Sequence, residues 1–600
     1  MKTPGRDSLA WPILIGWAIA ALVFCIACAA GIARMRFLDP DDAMRLLEVR
    51  DWLGGQGFYD VWQHRLAGGA FSMHWSRLVD MPLAAVMLIA DPLFGEATSN
   101  RIAMVAVPLL TLLIALAVLA RMTERMAGRE AAVLAVLVAP LSPPFAYQML
   151  PMRIDHHAWQ AVLALLASLL VLQSPTARRG ALAGLALGTL LTISLEGMPF
   201  MAAVVTIAAL AWVLDDTRGN FLRALAVGLF ASALLLHVAT RGPGMLLPAC
   251  DAMAPGWLAA LGVAAVAIAL SVTAAPRSPL LRLALLGAGG AASLLALRAI
   301  APDCLHGPFA SLDPLVRTFW YEQVLEGLPL WDQSLSRAAM TVALPLVGLG
   351  VSARMAWVSR GDARARWLLL GALLVAATAI ACLVNRAGIT ANALAVPGTA
   401  LLLTQLLGRA RAIQHALPRI VATVLALLMA SPGMVAATAL LGVTALTARQ
   451  SVAEVAPRSR FASCDRFDQV RALNQLPPAT IFAPMDVTPD LIATGRHHAI
   501  AGGYHRNARW MEIVIRTFTS SPDRARRIVQ ASGATYLAAC PDLSEVNLYR
   551  MAAPDGLWGQ LARGVWFDWL QPVPIAGSPV LAWRVVAPVR QSLRSATARR

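Results

Sequence analysis

Charge is what this 600-residue chain is short of: only 14% of its residues are Asp, Glu, Lys or Arg. With 58% hydrophobic residues and a mean hydropathy of +0.63, that scarcity excludes an ordinary soluble enzyme of this length. Zinc-type cysteine chemistry is also missing. None of the four cysteines outside the apolar stretches sits in a CxxC or His-rich setting. No internal repeat is visible, which removes the duplicated halves that many transporters carry. No small-residue cleavage site follows the first apolar stretch. Met1–Ala10 therefore reads as a basic lead into a retained helix, not a cleaved signal peptide.

What is there in abundance is apolar run. About thirteen stretches read as spans: 11–33, 101–120, 130–150, 157–173, 180–195, 198–214, 221–240, 256–275, 279–300, 339–358, 367–384, 391–408 and 418–446. Most approach the ~20 residues that cross a hydrocarbon core as a helix. The gaps between them sort by charge. Arg121–Arg129, Arg178–Arg179, Arg218–Arg223, Arg277–Arg282, Arg354–Arg366 and Arg409–Arg419 are basic and belong with the N-terminus in the cytoplasm. The alternate gaps, 34–100, 151–156, 196–197, 241–255, 301–338 and 385–390, then face outward, as does everything after 446. The short apolar run 78–95 is Pro-bounded and reads as an external helix lying on the membrane. The net charge of +16 follows from the loop bias and an Arg-rich end. It fits anionic lipid better than nucleic acid, so no nucleic-acid partner is expected.

The expected fold class is an α-helical polytopic membrane protein with a C-terminal extracytoplasmic α/β domain. Residues 1–446 form the transmembrane domain, with external loops 34–100 and 301–338. Residues 447–588 form the α/β domain, where helix and strand patterns alternate, and 589–600 read as a disordered basic tail. Cys25, Cys28 and Cys382 fall in spans and read as packing residues. Cys250 with Cys304, and Cys464 with Cys540, share the outward side and are expected to pair.

Nearly all candidate chemistry lies outward. The first loop opens Asp39-Pro40-Asp41-Asp42-Ala43-Met44-Arg45. Three carboxylates so close repel unless a cation holds them; the alternative is a solvated helix cap. His74-Trp75-Ser76-Arg77 follows, readable as interfacial anchors or as sugar or phosphate contacts. Arg153-Ile154-Asp155-His156-His157 fills a very short loop, where Asp and two His can ligate a metal or share protons. Glu196 sits at an outward helix break. Loop 301–338 carries Glu322 and Glu326 and is long enough to cover a site. Arg386, in a tight outward turn, can grip a lipid phosphate bidentately or snorkel.

In order and topology these motifs resemble the catalytic subunit of oligosaccharyltransferases, within the GT-C class of membrane glycosyltransferases. The likeness covers most of the chain, though each motif is short. Asp39-Pro40-Asp41-Asp42 is similar to that family's first acidic motif and Asp155-His156-His157 to its second. Val324-Leu325-Glu326-Gly327-Leu328-Pro329 is similar to its late Glu motif, and Arg386 to its late Arg. By implication Asp39, Asp41, Asp42, Asp155 and Glu326 are catalytic, and Asp39, Asp41, Asp155, His156 and His157 hold a divalent metal, Mn²⁺ or Mg²⁺. Arg153 and Arg386 would bind the lipid phosphate. The family's Trp-Trp-Asp-Tyr-Gly is absent. Its place is taken by Ala483-Pro484-Met485-Asp486-Val487, followed by Gly502-Gly503-Tyr504-His505-Arg506-Asn507. Acceptor contacts are therefore expected from Glu322, Asp486, Tyr504, His505 and Arg506, and not through an Asn-x-Ser/Thr sequon.

The expected function is an inverting glycosyltransferase. It moves a sugar or oligosaccharide from a polyprenyl-(di)phosphate carrier to a protein, lipid or glycan acceptor, on the outer face of a bacterial inner (plasma) membrane, with the C-terminal domain periplasmic. The alternatives are a multi-spanning transporter or lipid-linked glycan flippase, and a non-catalytic assembly partner.

Overall fold

The computed structural model describes residues 8–66, 71–274, 276–448, 462–464 and 466–586. In chain order its first eighteen helices are α1 (Ala10–Ala33), α2 (Pro40–Leu53), α3 (Arg77–Phe94), α4 (Glu96–Ala127), α5 (Arg129–Val138), α6 (Pro143–Tyr147), α7 (His157–Val171), α8 (Ala177–Ile193), α9 (Met198–Leu214), α10 (Gly219–Arg241), α11 (Pro255–Ala274), α12 (Pro279–Ile300), α13 (Pro314–Phe319), α14 (Leu335–Val358), α15 (Gly361–Leu383), α16 (Gly388–Arg411), α17 (Ala416–Leu428) and α18 (Pro432–Ala448). Among the described residues nine helices are long and apolar enough to cross a membrane, or ten if the pair α17–α18, bent by 94°, is one span.

Each of the thirteen expected stretches contains a helix, but several are shorter than expected. The run 130–150 breaks at Pro140, Pro143 and Pro144, which cannot donate to a helix ladder. It becomes the ten-residue α5, a 3₁₀ turn and α6. α7 and α8 have 15 and 17 residues and lie inside the bundle, where length need not match the bilayer. The most enclosed span is α16, with 72% of its apolar window buried against 11% for α12. α16 is thus the axis of the bundle and α12 a peripheral helix. The expected external helix is α3. It buries Val79, Leu83 and Met87 and exposes Leu88, Ile89, Leu93 and Phe94, an apolar face suited to a membrane surface.

α8 and α10 approach more closely than side chains allow. Gly180, Gly184 and Gly188, four residues apart, present bare backbone to α10. A Cβ at Gly184 would stand 2.3 Å from Leu225 O, and one at Gly188 would stand 2.0 Å from Ser232 Oγ. This is the small-xxx-small solution to helix packing without a hydrophobic drive between helices.

After α18 the chain forms a five-stranded sheet: β1 (Thr480–Phe482), β2 (His498–Ala499), β3 (Tyr536–Ala539), β4 (Leu570–Pro572) and β5 (Leu581–Val585), in order β2-β1-β3-β5-β4. β1 runs parallel to β2 and β3, while β5 is antiparallel to β3 and β4. α19 (Thr488–Thr494), α20 (Ala508–Thr519), α21 (Pro522–Ala531), α22 (Ser544–Ala552) and α23 (Leu557–Ala562) cover it. The expected basic tail at 589–600 lies outside the described residues.

This sheet does not stand on a core of its own. One continuous apolar cluster joins Phe37, Met44, Leu47, Leu66, Met73, Leu83 and Met104 to Ile481, Leu491, Tyr504, Phe518 and Leu537. Leu66 bridges in parallel to Ala499, extending the sheet edge. Arg50 and Arg65 donate to the carbonyls of Ala493, Ile492 and Gly495 at the C-terminal end of α19. The bundle has a separate core. Both expected disulfides are present, Cys250–Cys304 and Cys464–Cys540, and Cys25, Cys28 and Cys382 are free.

Two measurements check these features. Thiol alkylation of the denatured protein should add three labels before reduction and seven after it; seven labels without reduction would contradict the pairing. Gly184→Val should destabilise the bundle by about 1–3 kcal/mol through overpacking, read as a lower melting temperature in lipid nanodiscs, whereas Gly287→Val on open α12 should not.

Candidate active site

Five separate gaps in the helix bundle meet at one end of it. The first supplies the N-terminus of α2. Asp39 is its N-cap, accepting from Asp41 N at 3.0 Å, and Pro40 fills the first turn, where no N–H is needed. The second is the loop before α7. Here Met152 adopts φ 74°, a conformation costly for a residue with a Cβ and held by the contacts around it. Asp42 is fully buried and grips this loop. Its Oδ1 accepts from Ile154 N at 2.8 Å and Asp155 N at 3.2 Å, and its Oδ2 lies 3.2 Å from Arg153 Nη1. The other gaps bring Glu196 between α8 and α9, Glu326 in the long loop, and Arg386 before α16.

The charges interlock. Asp155 Oδ1 is 2.6 Å from His156 Nδ1 and 3.2 Å from Arg45 Nη2, while its Oδ2 is 3.3 Å from His157 Nε2. Arg153 reaches Asp39 at 3.4 Å and Glu326 at 3.7 Å, and lies 5.2 Å over the Tyr147 ring. Arg386 meets Glu196 at 2.8 Å and Glu326 at 3.6 Å. The backbone fixes the same junction, with Arg386 N donating to Glu326 O at 2.8 Å. Glu196 also lies 3.6 Å from His156 Nε2 and 3.7 Å from His157 Nδ1.

These neighbours decide which acids are ionised. Burial alone would raise Asp155, but His156, His157 and Arg45 overcome it and hold the carboxyl well below its usual range. Burial would likewise lower His156, yet Asp155 and Glu196 bring it to about 9. Glu326 is held at about 2, against burial, by His157, Arg386 and Arg153. The α2 acids go the other way. Burial, offset in part by Arg153, leaves Asp42 at about 7. Burial, with Asp39, Asp155 and Glu326 beside it, drives Asp41 well up. Asp41 donates its backbone N–H to Asp39, but its carboxylate has no hydrogen bond or ion pair among the described residues.

Among the described residues, Asp155, His156 and His157 form one set whose ligand atoms lie within 4.8 Å of one another. Asp155 Oδ2, His156 Nε2 and His157 Nε2 are buried and make no hydrogen bond. A carboxylate and two imidazoles this close, each with a buried unbonded atom, suit a divalent cation. Asp39, an expected ligand, is engaged with Arg153, and Asp41 stands outside the set.

The remaining expected residues sort differently. Asp486 is half-buried on the sheet side. Its turn is held by Glu545, which accepts from Met485 N and Asp486 N at 2.8 Å each and from the Tyr549 hydroxyl. Burial and then Asp39 raise Asp486 to about 6, so it belongs to the rim of the cluster. Glu322 lies exposed in a separate turn; Glu326, not Glu322, enters the cluster. Tyr504 is buried. His505 and Arg506 are engaged with Asp251, at 2.6 Å and 2.7 Å. His74, Asp251 and His505 also place ligand atoms within 4.8 Å, but Arg506 takes both Asp251 oxygens. A guanidinium already occupies the place of a cation. Glu196 was visible in sequence as an acid at a helix break, without a partner to give it a role. Arg45 was visible only as the last residue of the first-loop motif.

No protein-family model and no curated protein matches the sequence. Solved structures do match by shape. The oligosaccharyltransferase AglB of Archaeoglobus fulgidus, in complex with an inhibitory peptide and a dolichol-phosphate, aligns at 14% identity over 97% of this chain and 75% of that one, with a TM-score of 0.64. The oligosaccharyltransferase of the same organism tethered with an acceptor peptide containing the NVT sequon aligns at 15% identity over 96% and 74%, TM-score 0.60. Its complex with Zn and sulfate aligns at 15% over 95% and 73%, TM-score 0.57. At such identity it is the fold alone that is shared: this chain has the architecture of the archaeal oligosaccharyltransferase structures, a helix bundle carrying a sheet-bearing C-terminal region.

Proposed function

We propose that this chain is an integral-membrane glycosyltransferase. It takes a sugar or oligosaccharide from a polyprenyl-(di)phosphate carrier and passes it to an acceptor on the outer face of the membrane. The observation that carries this reading is the charged cluster itself. Two arginines, Arg153 and Arg386, flank an ionised Asp155 and two imidazoles at the mouth of an apolar bundle. Apolar helices suit a long hydrocarbon carrier, and the guanidiniums suit its phosphate. The solved oligosaccharyltransferase in complex with a dolichol-phosphate supports the donor class. A transporter would place its ionisable groups mid-span; here they gather at helix ends.

The residues divide the work. Asp155, His156 and His157 would hold a divalent cation, Mn²⁺ or Mg²⁺, which supplies Lewis-acid stabilisation of a leaving phosphate. Arg153 and Arg386 exchange their carboxylate partners for phosphate oxygens as charge develops there. Asp41, whose carboxylate no described side chain engages, would take the acceptor's proton. Asp42 keeps the Arg153–Asp155 loop in place. Glu326 and Glu196 orient Arg386. Asp486 reaches this opening from the sheet side and would meet the acceptor. Without a paired Trp wall beside it, the rim suits a polar glycan or phosphorylated acceptor better than a sequon.

The decisive experiment compares surface glycans and lipid-linked sugars by mass analysis in cells with the wild type, without the chain, and with Asp155→Asn. The Asn variant should match the deletion, with purified turnover reduced about 10²–10³-fold and the protein still inserted in the membrane. Wild-type turnover by that variant would remove Asp155 from the chemistry.

Activity should be lost in excess chelator. Its metal dependence should also shift with pH in a fixed direction. His156 stays protonated up to about 9, and a protonated imidazole cannot ligate, so binding must displace its proton. The half-activating Mn²⁺ concentration should therefore fall as pH rises from 7 towards 9. A flat dependence would exclude His156 as a ligand, and full turnover in chelator would exclude the metal.

A further inference from the structure

Beneath the charged cluster lies a support that the chemistry above does not use. Arg45 is fully buried, and its two terminal nitrogens serve different acids. Nη1 is 2.8 Å from Asp80 Oδ1, and Nη2 is 3.2 Å from Asp155 Oδ1. The guanidinium lies 4.4 Å over the Trp75 ring. Asp80 is itself held on its other oxygen by Arg77, at 3.2 Å. Trp75 meets Tyr504 edge-on at 5.8 Å, and Tyr504 stacks on Phe71 at 6.2 Å. The next two residues, His505 and Arg506, grip Asp251, which follows the Cys250–Cys304 disulfide. Two donors converging on one carboxylate oxygen fix where the other oxygen points. With Arg45 and His156 both on Oδ1, the free Oδ2 of Asp155 is left aimed at His157.

We propose that Arg45, seated on Trp75 and Asp80, is a positioning residue that sets the orientation of the Asp155 carboxylate and makes it depend on the seating of the sheet domain at Tyr504. Lysine cannot replace it. An ammonium is a point charge that reaches one acid, whereas the guanidinium spans two and stacks on a ring. The activity arm of this inference rests on the proposed glycosyltransferase reading; the structural arm does not.

The test uses the full-length protein in lipid nanodiscs and three variants: Arg45→Lys, Trp75→Leu and Trp75→Phe. The readouts are the half-activating Mn²⁺ concentration for donor turnover, hydrogen exchange of the segment 153–157, and melting temperature. Arg45→Lys and Trp75→Leu should raise the Mn²⁺ requirement about 10–100-fold, the usual effect of removing a group that orients a metal ligand. Both should also speed exchange of the Ile154 and Asp155 amides. Trp75→Phe, which keeps an aromatic face under the cation, should return the requirement to within about threefold of wild type. A lowered melting temperature with unchanged Mn²⁺ dependence and unchanged exchange would make Arg45 a packing residue only and overturn the inference. If the wild type shows no donor turnover, the glycosyltransferase reading fails, and exchange decides alone: faster exchange in Arg45→Lys upholds the positioning role, and wild-type exchange overturns it.

Discussion

Everything at the site depends on Asp42. This carboxylate, on the first turn of α2, accepts from two successive amides of the loop before α7 and contacts Arg153. It is a side chain from one gap acting as backbone cap for another. Without it the buried N–H groups of Ile154 and Asp155, just past Met152 at φ 74°, would lose their partner. Arg153, Asp155 and the His pair are then delivered together. The other acids are free to differ in ionisation because this one is committed to structure.

The cluster also explains why a protein poor in charge can carry so many charges in one place. Each arginine is shared between carboxylates, and every carboxylate of the cluster but Asp41 meets an arginine, an imidazole or an amide. A buried ion left alone is costly, whereas a closed network with every member hydrogen-bonded offsets much of the desolvation. The distinction between Asp41 and its neighbours follows from this. Asp39 caps α2, Asp42 ties the loop, and only Asp41 lacks a partner.

Much of this was legible in sequence, for identifiable reasons. The alternation of Arg-rich and acid-rich gaps forecast that residues 39–42, 153–157, 326 and 386 share one side, and the structure brings them together. The helices at Thr488–Thr494 and Pro522–Ala531 and the strand before Ala539 followed from period and turn residues. Other features were hidden. Strands β4 and β5 are short and carry Pro572 and Arg584, which mask the strand pattern. The run 130–150 read as one span because its prolines were outweighed by apolar content. The role of Arg506 could not be read from its neighbours, because its partner Asp251 lies some 250 residues earlier and nothing local points to it. Likewise Glu322 and Glu326 are four residues apart in a similar setting, and only the backbone pairing of Glu326 with Arg386 separates them.

The common core of the first external loop and the sheet has a consequence for how the protein is made. The apolar faces of α2 and of the segment up to Met104 are completed by residues that begin at Cys464. Ribosomes add roughly 5–20 residues per second, so those faces wait on the order of tens of seconds, uncovered. The transmembrane helices are in place long before their catalytic end exists. The loop carrying Asp39, Asp41 and Asp42 acquires its final shape only when nearly the whole chain has been delivered. A truncated product, however well inserted, is left with an open apolar face and no assembled site, which marks it for quality control and keeps it from acting on the membrane it sits in.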